Sequence, residues 1–252
     1  MRSSATARYL CLVILLLLQG CIYDRILQSK AQLCKVQPAQ IVVETSPTGA
    51  RSVVFKQPTL TLKDVVWLLG ADPSSRVDTA SAVHLTYASV PLGGTATARD
   101  ELVLELVFPK VDGTYKLHRA QIPAQFEQIL SFRLIDEAMR AVCRSKIYPA
   151  SLRAEFDLTN IDKTALPTRA QLLSILNESA IEQGGDSLEY RYCLKPCASN
   201  RQRLSHWRMA FDRDGRLEAA AVGYFRYEFT LDMHSGKARI ALRSSSAQAK
   251  MR

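Results

Sequence analysis

Leu204-Ser205-His206-Trp207-Arg208-Met209-Ala210-Phe211-Asp212-Arg213-Asp214-Gly215 is the stretch whose reading decides the fold. Leu204 to Phe211 reads as a strand that ends in Phe, and Asp214-Gly215 reads as the turn that reverses it. An earlier stretch reads the same way. Val103 to Phe108 is a strand to Phe, and Asp112-Gly113 turns it. Phe108 and Phe211 are 103 residues apart, and Gly113 and Gly215 are 102 apart, so the two pieces keep one spacing.

Outward from these strands, the preceding elements match as well. Pro58-Thr59-Leu60-Thr61 opens a helix with Thr61 as N-cap and Asp64 in a capping-box place. Leu62, Val65, Val66 and Leu69 make its apolar face, and Gly70 ends it. Val83 to Val90 then forms a strand bearing Tyr87. In the second half, Pro167-Thr168 precedes a helix with Leu172, Leu173, Ile175 and Leu176, followed by the strand Leu188 to Leu194 with Tyr190 and Tyr192. A repeated order of elements is an architectural signal. Identity between the halves is low, and coincidence of common parts would give the same order.

Between them, Pro123 to Arg144 reads as the longest helix. Phe126, Ile129, Leu130, Leu134, Ala138 and Val142 form one stripe, and Phe132, Ile135 and Met139 a second. A helix apolar on more than one side is expected between layers. The fold class expected is therefore α+β: antiparallel sheets with packed helices, as two tandem helix-plus-sheet units around a central helix. The boundaries are a leader over 1–20, an anchor, short helix and hairpin over 21–57, and a first unit over 58–122. The central helix and connection follow over 123–166, then a second unit over 167–243 and a polar, basic tail over 244–252. The hairpin joins Gln40–Glu44 to Arg51–Gln57 through Ser46-Pro47-Thr48-Gly49. Tyr115 to Ile122 returns from the first Asp-Gly turn. Gly223 to Leu231 reads as a late strand rich in Tyr and Phe, His234-Ser235-Gly236 as a turn, and Ala238 to Arg243 as one more strand.

The leader has a positive start, Arg2 and Arg8, and an uncharged core, Tyr9 to Leu18. Ten residues are too few to cross a bilayer as a helix, which takes about 20. Leu18-Gln19-Gly20-Cys21 follows and resembles the lipobox of bacterial lipoproteins. That resemblance implies diacylglycerol on the Cys21 thiol, cleavage before it and acylation of the new amino terminus. An ordinary signal peptide would want a small residue where Leu18 stands. Two or three acyl chains hold a domain at a membrane, whereas one binds only reversibly. Ile22 and Tyr23 follow the cysteine and Asp24 comes third, which resembles sorting to the outer membrane with the body facing the periplasm; Asp directly after the cysteine would favour the inner membrane.

Past the leader, 232 residues are long enough for a sizeable core, and an apolar fraction of 47% with 23% charged residues is that of a globular chain. The net charge is +9, or about +7 without Arg2 and Arg8, with no run of five like charges. Anionic lipid or cell-wall polymer suits that balance. Nucleic acid is not expected in the compartment the leader implies.

Cys11 leaves with the leader and Cys21 takes lipid, so Cys34, Cys143, Cys193 and Cys197 remain. Four thiols allow three pairings. The expected ones are Cys34–Cys143, stapling the segment after the anchor to the central helix, and Cys193–Cys197, closing a tiny loop. Three residues separate Cys193 from Cys197, where redox motifs of the thioredoxin kind use two. No nearby His pair completes a zinc site.

The helix ending in Gly, the Tyr-bearing strands and the strand to Phe-Asp-x-Asp-Gly resemble small outer-membrane lipoproteins of the SmpA/OmlA (BamE-like) kind. They also resemble the tandem repeat of β-lactamase-inhibitor-type proteins. Leu69-Gly70-Ala71-Asp72-Pro73 is similar to the family's Leu-Gly-x-Pro with one insertion; the second unit has Leu176-Asn177-Glu178 instead. The resemblance implies a fold, and a partner in an envelope assembly machine.

No residue pattern points to catalysis. Gly-x-Ser-x-Gly, a P-loop and a dinucleotide fingerprint are all absent from the sequence. His84, His118, His206 and His234 are far apart, so no metal and no cofactor is expected. Asp100 with Glu101 could serve in a cleft; Asp212 with Asp214 reads better as turn chemistry. Trp67 and Trp207 read as core or rim rather than a sugar platform. The function expected is a non-enzymatic binding or scaffold lipoprotein of the bacterial cell envelope, with Tyr224, Arg226, Tyr227 and Phe229 as contact surface. An envelope enzyme acting on cell-wall or lipid substrates is the alternative, and a protein inhibitor of a hydrolase is a third.

Overall fold

The computed structural model describes residues 24–31, 34, 41–46, 51–92, 101–121, 123–127, 132–148, 151–176, 180–182, 186–197 and 204–242. Cys21, the pairs Gly93-Gly94 and Gly184-Gly185, Asp100 and the tail 244–252 lie outside them.

Strand dominates. β1 (Ile41–Thr45) pairs antiparallel with β2 (Arg51–Phe55), as the hairpin pattern predicts, with Val43 opposite Val53. β3 (Ser75–Asp78), β4 (Ala82–Pro91), β5 (Leu102–Val111), β6 (Thr114–Tyr115) and β7 (Arg119–Gln121) follow. β8 (Lys146–Tyr148) and β9 (Arg153–Asp157) come after the helix Phe132–Arg144. The chain closes with β10 (Ala180–Glu182), β11 (Ser187–Leu194), β12 (Leu204–Phe211), β13 (Leu217–Tyr224), β14 (Tyr227–Asp232) and β15 (Lys237–Leu242).

All these strands belong to one antiparallel network in the order β1-β2-β7-β5-β4-β11-β12-β13-β14-β15-β9-β8, with β3 and β10 on the flanks of β4 and β11 and β6 on β5. This overturns the expected α+β class. No pair of separate units surrounds a central helix. One sheet runs through both halves, because β3 covers the edge of β4 away from β5 only from Val83 to Thr86, and Ser89, Val90 and Pro91 on that edge pair with Leu194, Cys193 and Tyr192 of β11. A sheet can grow edge to edge in this way wherever a strand end is left unpaired.

The described helices are few beside the strands. Leu62–Leu69 and Arg169–Leu176 have 8 residues each. Of the expected long helix, Ala124–Glu127 and Phe132–Arg144 are helical, while Ile129 and Leu130 lie outside the described residues. In Phe132–Arg144, Ala138, Arg140 and Arg144 are exposed and Ala141 is buried. Of the expected stripe, Phe126 packs on the core beside Trp207, Val142 is half-buried and Ala138 is exposed.

Local chemistry explains the two 8-residue helices. Thr61 accepts from the Asp64 N–H at 3.2 Å while the Asp64 carboxylate accepts from the Thr61 N–H at 2.8 Å, closing the capping box read from sequence. Gly70 ends the helix at φ 66°, where a glycine is favoured. Thr168 and Gln171 repeat that reciprocal bonding at the second helix. Each cap residue also bridges the strand beyond its half's Asp-Gly turn, Thr61 to Lys116 and Thr168 to Arg216.

Two apolar clusters hold the molecule. The first gathers Val65 under the sheet residues Val83, Leu85, Tyr87, Leu106 and Phe108, and takes Leu194 and Phe225 from the second half. The second gathers Leu172 and Leu176 against Leu188, Tyr190, Tyr192, Trp207, Met209 and Phe211. Along β11 to β9 the register puts Tyr190, Trp207, Val222, Phe229, Ile240 and Ala154 in one transverse row on the core side. The next row, on the solvent side, is Glu189, Arg208, Ala221, Thr230, Arg239, Glu155 and Lys146. A period-2 strand dictates this alternation.

Candidate functional site

The stretch Gly223 to Leu231, expected as a single strand, is two strands with a turn. β13 ends at Tyr224, β14 begins at Tyr227, and Phe225 takes φ 51° between them. The turn hides its apolar part. Phe225 is buried, with its ring 4.1 Å from Tyr224 and 5.3 Å from Tyr87. Tyr224 Oη lies 3.3 Å from Ser89 Oγ, and burial pushes the Tyr224 hydroxyl above its ordinary value, partly offset by Ser89. Phe229 packs on the second core. Tyr224, Arg226, Tyr227 and Phe229 are each half-buried.

Arg226 is spent inside the molecule. Its Nε donates to the Leu68 carbonyl at 3.0 Å, across 158 residues of chain. Its guanidinium lies 4.4 Å from the Trp67 ring centre and 5.6 Å from that of Tyr227. A cation at a helix C-terminus also complements the helix dipole. Gly70 lets the arm pass: a Cβ there would stand 2.8 Å from Arg226 Cδ. Arg226 thus clasps the first helix to the β13–β14 turn.

A second contact set lies where the chain leaves the expected anchor. Residues 24–31 are helical, within the stretch 21–57 where a short helix is expected. Arg25 grips Asp64 with Nε and Nη2, both at 2.6 Å. Ser29 Oγ meets Thr59 Oγ1 at 2.6 Å, and Lys30 Nζ donates to the Ser145 carbonyl. Burial pushes the Asp64 carboxyl up, but hydrogen bonds from Arg25 and Thr61 outweigh it and hold the group below its ordinary value. Cys34 is bonded to Cys143, with Cα atoms 5.3 Å apart, and Cys193 to Cys197 at 5.6 Å. Both expected pairings are present.

The third feature is a shallow hollow of about 230 Å³ on the solvent side of β11, β12 and β13, lined in part by Ser187, Glu189, Arg208, Ala219 and Ala221. Glu189 is only 2% exposed, yet it sits in the charged row, covered by Arg191 at 2.7 Å and Arg208 at 3.4 Å. Burial raises its carboxyl, and Arg191 and then Arg208 bring it below the ordinary value. Sequence pattern places Ser187, Glu189 and Arg191 on one face; it gives no sign that the carboxylate is covered.

The remaining candidates have the following places in the structure. Asp212 Oδ1 accepts from the N–H groups of Asp214 and Arg216, which is turn chemistry. Glu101 takes Lys195 Nζ at 2.8 Å. His118 Nδ1 contacts the Phe55 carbonyl at 3.1 Å, His206 lies opposite Arg191 and Gly223, and His84 and His234 are exposed. Among the described residues no group of three or more His, Cys, Asp or Glu could hold a metal ion. Trp207 is core and Trp67 is rim. The Arg25–Asp64 and Arg226–Leu68 contacts escaped sequence reasoning, since nothing local marks partners 39 and 158 residues apart. Compared with known proteins, the chain matches no family model, no curated protein and no solved structure.

Proposed function

We propose that this protein is a bacterial lipoprotein, held by acylated Cys21 at the outer membrane and facing the periplasm, that serves as a non-enzymatic binding or scaffold module of the cell envelope. One observation supports it most. The chain directly after Leu18-Gln19-Gly20-Cys21 is fastened to the body by Arg25–Asp64 and by Cys34–Cys143, so a lipid on Cys21 would carry the whole fold. Two disulfides also suit an oxidising compartment. The solvent face of β11 to β15, with its charged row and its hollow, is the surface for a macromolecular partner, now that Tyr224, Arg226 and Phe229 are engaged within the fold.

The test is metabolic labelling with a fatty acid in cells making the wild type and Cys21→Ala. Label in the wild type alone, with loss of membrane retention in the variant, supports the anchor. Equal retention of both chains sinks it. Photo-crosslinking from Arg208 and Thr230 in the same cells should capture a defined envelope component, and capture of nothing above an unmodified control removes the binding role.

A further inference from the structure

The leash between the anchor and the folded body is short. Two residues, Ile22 and Tyr23, separate Cys21 from Asp24, where the described helical segment 24–31 begins, so three Cα–Cα steps join them. Consecutive Cα atoms are at most about 3.8 Å apart, so Asp24 lies within about 11 Å of Cys21 whatever path the chain takes. That segment is fixed to the body at Arg25, Ser29 and Lys30, and again at Cys34. A body on so short a leash cannot stand off or tumble freely; one face must lie near the leaflet.

The exposed side chains identify the face. Arg25 and Ser29 are four apart and point at the body, which leaves Leu27 on the far side of the same segment, 43% exposed. On the helix that receives Arg25, Trp67 stands one turn beyond Asp64 and is also 43% exposed. Lys63, four residues before Trp67, is exposed on the same flank. A leucine, a tryptophan and a lysine are the residues that sit well at a bilayer boundary: apolar bulk inward, an indole among the head groups, an ammonium toward lipid phosphate.

We propose that the surface carrying Leu27, Lys63 and Trp67 rests on the head groups of the bilayer to which Cys21 is attached. This rests on the reading of Cys21 as the acylated residue. The protein then lies on the membrane by the side of the helix Leu62–Leu69 that receives Arg25.

The experiment uses acylated full-length protein in vesicles of phosphatidylethanolamine and phosphatidylglycerol, with and without acyl-brominated phosphatidylcholine. Bromine quenches only an indole that approaches the leaflet. The emission contributed by Trp67, defined as the part absent in W67F, should be mostly lost in brominated vesicles. Trp207, 9% exposed, should keep its emission. A triple variant R25A/S29A/K30A keeps the Cys34–Cys143 bond but lengthens the leash from 3 Cα–Cα steps to 13. Its quenching should fall while its circular dichroism stays that of the wild type. Full Trp67 emission from a chain that floats with vesicles and carries acyl mass on its N-terminal peptide overturns the face and leaves the anchor standing. A chain without acyl mass overturns the anchor, and the proposal with it. Quenching unchanged in the triple variant overturns the claim that the docked segment sets the orientation.

Discussion

Replacing Asp64 with alanine should lower stability by about 2–3 kcal/mol, and the structure says where that comes from. The carboxylate accepts four hydrogen bonds, two from Arg25 at 2.6 Å, one from the Thr61 N–H at 2.8 Å and one from Thr61 Oγ1 at 2.7 Å. Losing one arm of the capping box costs about 1 kcal/mol. Bonds to a charged partner are worth about 1.5–3 kcal/mol. Arg25 is 32% exposed, so water recovers part of that, leaving about 1–2 kcal/mol. For a chain of this size the sum corresponds to a drop of about 5–10 °C in Tm. The assay is urea unfolding with the disulfides intact, run as a double-mutant cycle with R25A. The double variant should cost less than the two singles together by about 1 kcal/mol, because both singles remove one bridge. Folding holds the Asp64 carboxyl below its ordinary value, so the stability it contributes is whole above the pKa of the unfolded chain, about 3.9. It fades as pH falls through the lower folded value. The gap between wild type and D64A should therefore persist to about pH 4 and close only below it. A coupling within about 0.3 kcal/mol of zero would falsify the idea that Arg25 is docked in solution.

Further outcomes follow from other contacts. R226A should lose about 1–3 kcal/mol in urea, by freeing the Leu68 carbonyl and the Trp67 face, and R226K should recover little, since an ammonium cannot stack as a planar fork does; equal midpoints for R226K and wild type would show that charge alone suffices. G236A should cost about 2–4 kcal/mol and G113A about 1, because both have positive φ but only Gly236 faces atoms at 2.7 to 3.3 Å on Thr159; thermal melts that rank them the other way contradict the packing. The Tyr190 hydroxyl is buried, has no hydrogen-bond partner among the described residues and is pushed up to about 12 by burial, against about 10 in an unfolded chain. Its contribution is thus whole below pH 10 and is lost as pH climbs through about 12, so Y190F should match or exceed the wild type and flatten its alkaline loss of Tm between those values. A Y190F variant clearly less stable at pH 8 would reveal a bond to that hydroxyl.

What the sequence disclosed was local. Thr61, Asp64 and Gly70 act within one helix, and their chemistry needs no distant partner. The strands ending in Phe108 and Phe211 and their Asp-Gly turns are likewise written in neighbours. The Cys34–Cys143 pair was reachable by arithmetic on thiols rather than by geometry. Strand partnership was not legible. Nothing in Ser89-Val90-Pro91 says that it will meet Tyr192-Cys193-Leu194, so one sheet looked like two. Ser75–Asp78 is exposed at every position and is a strand only by its backbone bonds to β4, which leaves no apolar trace. Phe225 and Arg226 hold a tight turn without the Asn or Gly that usually announces one, so Gly223 to Leu231 read as unbroken. In the expected contact patch, Tyr224, Arg226 and Phe229 also have contacts within the fold, which the sequence does not announce. Aromatic alternation cannot tell a face that meets a partner from one that meets its own chain.

The position of β15 bears on how the chain must assemble. It lies between β14 and β9, so among the described strands β9 and the β8 strand beside it reach the rest of the sheet through Lys237–Ile240. As the amino end emerges first in synthesis, β8 and β9 can pair with each other, but the far edge of β9 waits for some eighty residues until β15 arrives. Closure so late is slow and leaves hungry edges on view. A chain cut before Lys237 would shed much more than its tip: it would strand β8 and β9 together and open the flank on which Phe156 packs.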